Sequence, residues 1–198
     1  IRMKIQAIAP ARISLFGGST DVAPYSDLYG GLCINMAISL RQKITMYSDK
    51  NIFEQPDNVF PYNADPVLFY TIFKKYGIDG GHLTRVYSSF DGILGAGLGS
   101  SAAACVALIG AINKRKNLRL TNDQIAQKAW EAETQLMGWY GGKQDQWAAV
   151  YGGFNYLIFD KDGVQAMQLP LQWAEKIYPN ILLIYTGGTR KTHEIQKG

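Results

Sequence analysis

"GILGAGLGSSAAA" (residues 92–104) alternates glycine with small apolar residues at 95, 97 and 99. It then places two serines, Ser100 and Ser101, ahead of an alanine run. A flexible loop that feeds directly into a good helix former builds an anion site. Glycine lets backbone N–H groups turn inward and approach a phosphate closely. The start of the helix adds unpaired N–H groups and the positive end of its dipole. Serine hydroxyls in the first turn can cap the helix or reach a metal bound to phosphate. The spacing excludes two familiar phosphate loops. A dinucleotide fingerprint would need glycine where Ser100 stands, and a P-loop would need lysine after Gly99. "MGWYGGKQ" (137–144) fails the P-loop pattern at both ends. A glycine turn in front of a buried alanine helix, with no ligand, explains the composition equally well.

Working outward, residues 100–116 read as a buried helix with a basic end, and 82–88 as the strand that feeds the loop. The start of the chain alternates as strands, "MKIQAIA" and then "RISLF". Residues 17–31 form a loop long enough to bind something. Residues 32–47 read as two further strands. "DPVLFYTIFKKYG" (65–77) is a helix opened by Asp65 and stopped by Gly77. Residues 121–138 are a helix in which Thr121 and Gln124 make a capping box and Gly138 is the stop. Residues 152–160 and 180–187 read as strands, and "TRKTHEIQK" begins a last helix. The order of elements is α+β.

The composition narrows the function classes. Of 198 residues, 47% are hydrophobic and 18% charged, the balance of a folded domain. No apolar run approaches a membrane span, and the first residues lack the pattern of a signal peptide. The net charge of +4 suits anionic small molecules. Its lysines and arginines are scattered rather than striped, which argues against nucleic acid. Cys33 and Cys105 lie in apolar surroundings and read as buried thiols of a reducing compartment, the cytoplasm. His82 and His193 are isolated, with no second ligand at metal spacing.

Four stretches, in order along nearly the whole chain, carry a resemblance. "GAGLGSSAA" (95–103) resembles the second signature of the GHMP small-molecule kinases, and "APARISLFGGSTDVAPY" (9–25) resembles their first. "GGKQDQWAAVYGGFNY" (141–156) and "LLIYTGGTRKTHEI" (182–195) are similar to the D-glycero-D-manno-heptose 7-phosphate kinase branch and its fucokinase-like relatives. The resemblance implies an ATP-dependent sugar kinase whose N-terminal domain has the ribosomal protein S5 domain 2-like fold. That domain would span residues 1–187, and 188–198 would begin a largely missing ferredoxin-like C-terminal domain. Family members are usually much longer, so the expectation is an N-terminal fragment. Its exposed core would favour self-association, for example as a homodimer.

The resemblance also assigns roles. Gly95, Ala96, Gly97, Leu98, Gly99, Ser100, Ser101 and Ala102 would wrap the ATP phosphates. Ser101 and Glu133 would hold Mg²⁺, although Glu131 is as plausible without the spacing to Gly138. Asp145 would be the catalytic carboxylate facing the acceptor hydroxyl, and Arg12 would help align that hydroxyl. Gly18, Ser19, Thr20 and Asp21 would bind the sugar or sugar phosphate. Simpler roles stand beside these: a helix cap for Asp145, a turn former for Asp21, a surface ion pair for Arg12, a solvated position for Glu133. Lys143 reads equally as a surface charge or a phosphate contact. Where galactokinases carry an acidic residue and a histidine, this chain has Gly18 and Ser19, which disfavours galactose. The first-signature loop likewise disfavours a non-sugar alcohol such as mevalonate. A catalytically silent, ligand-binding copy of the fold is the competing class, and the retention of Ser101, Glu133 and Asp145 together argues against it.

Overall fold

The computed structural model describes residues 3–48, 65–78 and 84–187. Its centre is one long strand. β1 (Met3–Phe16) runs antiparallel along β2 (Gly31–Ser48), and α1 (Tyr25–Tyr29) lies in the connection. On the other side of β2, two strands share its length. β3 (Thr84–Phe90) pairs with residues 42–48, and β4 (Phe154–Asp160) pairs with residues 31–36. β5 (Gly163–Gln168) completes the sheet as a hairpin on β4. Its turn is set by Asp160, whose Oδ1 accepts from the amides of Asp162 and Gly163.

The stretches read as two strand pairs, 3–16 and 32–47, are two continuous strands. The register slips between Pro10 and Arg12, where their partners jump from Arg41 to Ala37. A bulge of this kind bends a strand without ending it. The bend places Arg12 at the end of the sheet where the glycine loop arrives.

The helices follow local rules. In α2 (Pro66–Lys75), Asp65 accepts from the amides of Val67 and Leu68, and proline takes the first turn. α3 (Ser100–Lys116) is buried through nearly its whole apolar length, from Ala102 to Ile112, and its basic last turn meets the negative end of its dipole. α4 (Asn122–Glu131) has the expected capping box. It continues through a π turn (Ala132–Leu136) to Gly138, whose φ is +67°. α5 (Gln144–Tyr151) follows, tied back to α4 by Asp123, which accepts from Trp147 Nε1 and the Tyr151 hydroxyl. α3 fills the space between the sheet and the other helices. Ile44, Met46, Phe69, Ile72, Leu108 and Ile112 are among the fully buried side chains there.

Two expectations near the end are corrected. Residues 169–180 hold α6 (Leu171–Ile177) and a 3₁₀ turn (Tyr178–Asn180), which the sequence reading did not include. The run 181–187, read as a strand, pairs with no strand among the described residues. Its β-branched and aromatic composition suits a sheet, but it meets no strand edge here: Leu182 is 81% and Ile184 70% exposed. The expected helix beginning at residue 189 lies outside the described residues, as do His82 and His193. Among the described residues, no helix is long and apolar enough to cross a membrane. Cys33 and Cys105 are buried free thiols.

Candidate active site

Four separate parts of the chain meet at the N-terminus of α3. The glycine loop is the first. Gly95, Gly97 and Gly99 all have positive φ, between +71° and +76°. The alternation in the sequence is therefore a run of positions that only glycine adopts without strain. Gly99 is the N-cap of α3. Its conformation starts the helix at Ser100 and aims the free amides of the first turn out past the loop.

Arg12 fastens this loop to the sheet. Its backbone N–H donates to the Leu98 carbonyl at 3.0 Å, and its Nη1 donates to the Gly97 carbonyl at 2.7 Å. Both carbonyls are thereby taken up by Arg12. The same guanidinium holds Asp145: Nε lies 2.7 Å and Nη2 2.6 Å from Oδ1. Both contacts fall on one oxygen. The other, Oδ2, lies over Gly99, where an added Cβ would be 3.3 Å away. Asp145 thus sits in the first turn of α5 with one oxygen clamped and the other beside the loop. The structure thus pairs Asp145 with Arg12 beside the glycine loop, and the N-cap residue of α5, Lys143, makes no side-chain capping bond.

The structure separates Glu133 from Glu131. Glu131 faces outward to Lys75 at 3.5 Å and to Gln127. Glu133 is buried, 7% exposed, and accepts from Gln146 Nε2 at 2.6 Å and from the Ser101 hydroxyl. Residues two apart leave a helix on opposite sides, and Glu133 continues the buried face of Ala126, Ala129 and Ala132. Burial pushes the Glu133 carboxyl up to about 7. Bonds from Ser101 and Gln146 oppose the rise, and the charge of Asp145 adds to it. No cation appears among these influences. A buried carboxylate beside a hydroxyl, a second carboxylate and a phosphate loop suits Mg²⁺, which takes few protein oxygens and completes its shell from phosphate and water. Ser101 and Glu133 are the side chains that could hold it there.

The first-signature loop is anchored to β2 and to α5. Thr20 Oγ1 lies within 2.8–3.0 Å of the Gly17 and Leu32 carbonyls and accepts from the Leu32 amide, closing the loop on β2. Gly17 and Gly31 fit only as glycine. A Cβ would meet the Leu32 carbonyl oxygen at 1.7 Å and the Thr20 carbonyl oxygen at 2.0 Å respectively. Gly18 and Ser19 are exposed, and Ser19 has φ +70°. Asp21 is buried, and its Oδ2 accepts from the Gln144 amide at 2.9 Å. Desolvation raises its carboxyl, against the Gln144 hydrogen bond. Lys143 Nζ lies 5.1 Å above the Trp130 ring, and Trp130 Nε1 donates to the Gly141 carbonyl. Gln146 was absent from the sequence reading. Its spacing from Asp145 was visible, but that it meets Glu133 depends on two helices crossing.

Residues 67–153 match the family model described as "GHMP kinases N terminal domain". The chain is similar to the D-glycero-alpha-D-manno-heptose 7-phosphate kinase of Campylobacter jejuni, 31% identical over 98% of this chain and 62% of that protein. It is similar to the mevalonate kinase of Thermococcus onnurineus, 28% identical over 98% of this chain and 60% of that protein. A crystal structure of a D-glycero-D-manno-heptose 1-phosphate kinase from Bacteriodes thetaiotaomicron superposes with a TM-score of 0.72. It is 29% identical, over 84% of this chain and 60% of that one. The chain therefore spans about 60% of the length of the curated relatives it matches.

Proposed function

The chain carries a GHMP kinase N-terminal domain, and on that premise we propose that it transfers the γ-phosphoryl group of ATP to a hydroxyl of a sugar phosphate. The observation that carries the reading is the convergence on Asp145. Its carboxylate is clamped by Arg12 and abuts Gly99, at the mouth of a glycine loop that opens onto a helix N-terminus. Phosphoryl transfer asks little of the protein beyond positioning and charge neutralisation, and these residues supply both.

The loop from Gly95 to Ala102 cradles the nucleotide phosphates with backbone N–H groups. Ser101 and Glu133 would hold Mg²⁺, which would supply neutralisation of the phosphate charge. Asp145 receives the proton of the acceptor hydroxyl through its free oxygen. The acceptor oxygen forms a bond to the γ-phosphorus, the bond to the β–γ bridging oxygen breaks, and ADP departs with that electron pair. Arg12 keeps Asp145 and the loop in fixed relation throughout. The exposed backbone at Gly18 and Ser19 forms the side of the site that meets the acceptor.

The sugar-phosphate reading draws support from the 31% identity to a heptose-phosphate kinase across almost the whole chain. The two heptose-kinase relatives carry names that place the phosphate at different carbons, so the position phosphorylated here is left to experiment. The deciding experiment measures ADP release by the whole protein with Mg·ATP against heptose 7-phosphate, fucose, galactose, mannose, N-acetylhexosamines and mevalonate. A sugar phosphate standing clear of the panel supports the reading, and mevalonate standing clear sinks it. Asp145→Asn should lower turnover by about 10²–10⁴-fold while leaving ATP binding intact. Retained turnover in that variant would remove Asp145 from its role.

A further inference from the structure

The geometry points to Asp21 as a positioning residue that latches the first-signature loop to the helix bearing Asp145. The assignment rests on the role given to Asp145 above, but the latch itself is a structural feature that can be measured without any substrate.

Three observations carry it. Asp21 is 4% exposed, so its carboxylate is held within the fold against neighbouring backbone. Its Oδ2 accepts from the amide of Gln144, the first residue of α5 and the neighbour of Asp145. The carboxylate also fills a notch at Gly142, where a Cβ would fall 2.0 Å from Oδ2 and 2.3 Å from Cγ. The backbone at Gly142 lies that close only because it has no side chain. A second tie runs in parallel, as the Tyr140 hydroxyl donates to the Ala23 carbonyl.

The chemistry explains why a carboxylate stands there. The first amides of a helix have no intrahelical acceptor, and a charged acceptor satisfies one more strongly than a neutral group. The position is otherwise unfavourable. Burial desolvates Asp21, and Asp145 sets a like charge nearby. A buried carboxylate kept against that cost is kept for the contact it makes. Its effect is to fix the first turn of α5 from outside. Asp145 is then held from three directions: by Arg12 from β1, by Gly99 from the phosphate loop, and through Gln144 by Asp21. Loop 17–31, which presents Ser19 to the acceptor, thereby shares a rigid link with the catalytic carboxylate.

The test compares Asp21→Ala, Asp21→Asn and Gly142→Ala in the whole protein. Asparagine keeps an acceptor oxygen in the notch, alanine removes it, and the Gly142 substitution expels it without touching Asp21. Amide hydrogen exchange at Gln144, measured without substrate, should speed up at least tenfold in Asp21→Ala and Gly142→Ala and stay near wild type in Asp21→Asn. Displacements of about 1 Å in a reacting group cost on the order of 10²-fold. Accordingly kcat should fall by about that factor in the alanine variants, with the acceptor KM changed less than about threefold. Asp21→Asn should recover most of kcat. The Asp21→Ala/Gly142→Ala double variant should be no worse than either single one, because both break the same contact.

Unchanged exchange at Gln144 in both alanine variants overturns the latch, whatever the protein phosphorylates. A rise in acceptor KM of tenfold or more with kcat retained, equal in Asp21→Asn and Asp21→Ala, also overturns it and makes Asp21 an acceptor contact. Should Asp21→Ala fail to fold, Gly142→Ala and Asp21→Asn decide alone. If no acceptor turns over, the exchange measurement still supports or overturns the latch, while the kinase reading fails separately.

Discussion

At the scale of single residues, Glu133 shows how a buried carboxylate costs stability. In an unfolded chain this carboxyl titrates near 4.5, and in the fold it is pushed up to about 7. The fold therefore binds a proton at pH values where the unfolded chain has released it. Stability is greatest below about pH 4.5 as far as this group is concerned, and it is lost as pH rises from there to about 7. The shift corresponds to about 3 kcal/mol at most. In EDTA, the metal-free protein should lose melting temperature between pH 5 and pH 8. Glu133→Gln should flatten that slope and melt higher than wild type at pH 8, while losing turnover and Mg²⁺ binding. Magnesium should recover the wild-type loss at pH 8 and leave the variant unmoved. Parallel slopes for the two proteins in calorimetry would show that another group governs the pH response. The residue itself was visible as one of two acidic candidates on a single helix. Its burial, with Ser101 and Gln146 packed against it, separates it from Glu131.

At the scale of elements, the loop-to-helix junction joins local conformation to chemistry. Gly99 has φ +71° and caps α3, and an added Cβ would press on Asp145 at 3.3 Å. Gly99→Ala pays for the left-handed conformation, about 1–2 kcal/mol, and pushes Asp145 away from the loop as well. Thermal denaturation should show a loss of that size. ATP affinity and turnover should both fall if, as proposed, the same glycine serves the phosphate loop and abuts the catalytic Asp145. A variant with wild-type turnover would show that the contact between Gly99 and Asp145 has no part in the reaction. Most elements near the site were legible because their signals are local. The glycine alternation, the Asp65 cap, the capping box at Thr121 and the Gly138 stop all act within a few residues. The single strand β2 was read as two because its bulge near residues 38–40 depends on pairing with β1, which no local signal reports.

At the scale of the whole molecule, α3 is both the floor of the site and the centre of the core. Leu108 is fully buried on it, among residues from the sheet and from α2. Leu108→Ala should cost about 2–5 kcal/mol in chemical denaturation. At temperatures where it remains folded, ATP affinity should stay near wild type, since the residue lies more than a turn from the loop. A destabilisation under 1 kcal/mol would mean that this core relaxes around the gap. By itself the sequence determined the α+β class, the glycine loop that opens α3 and most helix ends. Each is written in nearest-neighbour conformational preference or in residue type. Tertiary structure alone decided which residues meet. Arg12 and Asp145 lie 133 positions apart, and Asp21 and Gln144 lie 123 apart. Such contacts form only when a bent sheet and a buried helix bring distant segments to one point, and a chain read along its length carries no measure of that distance.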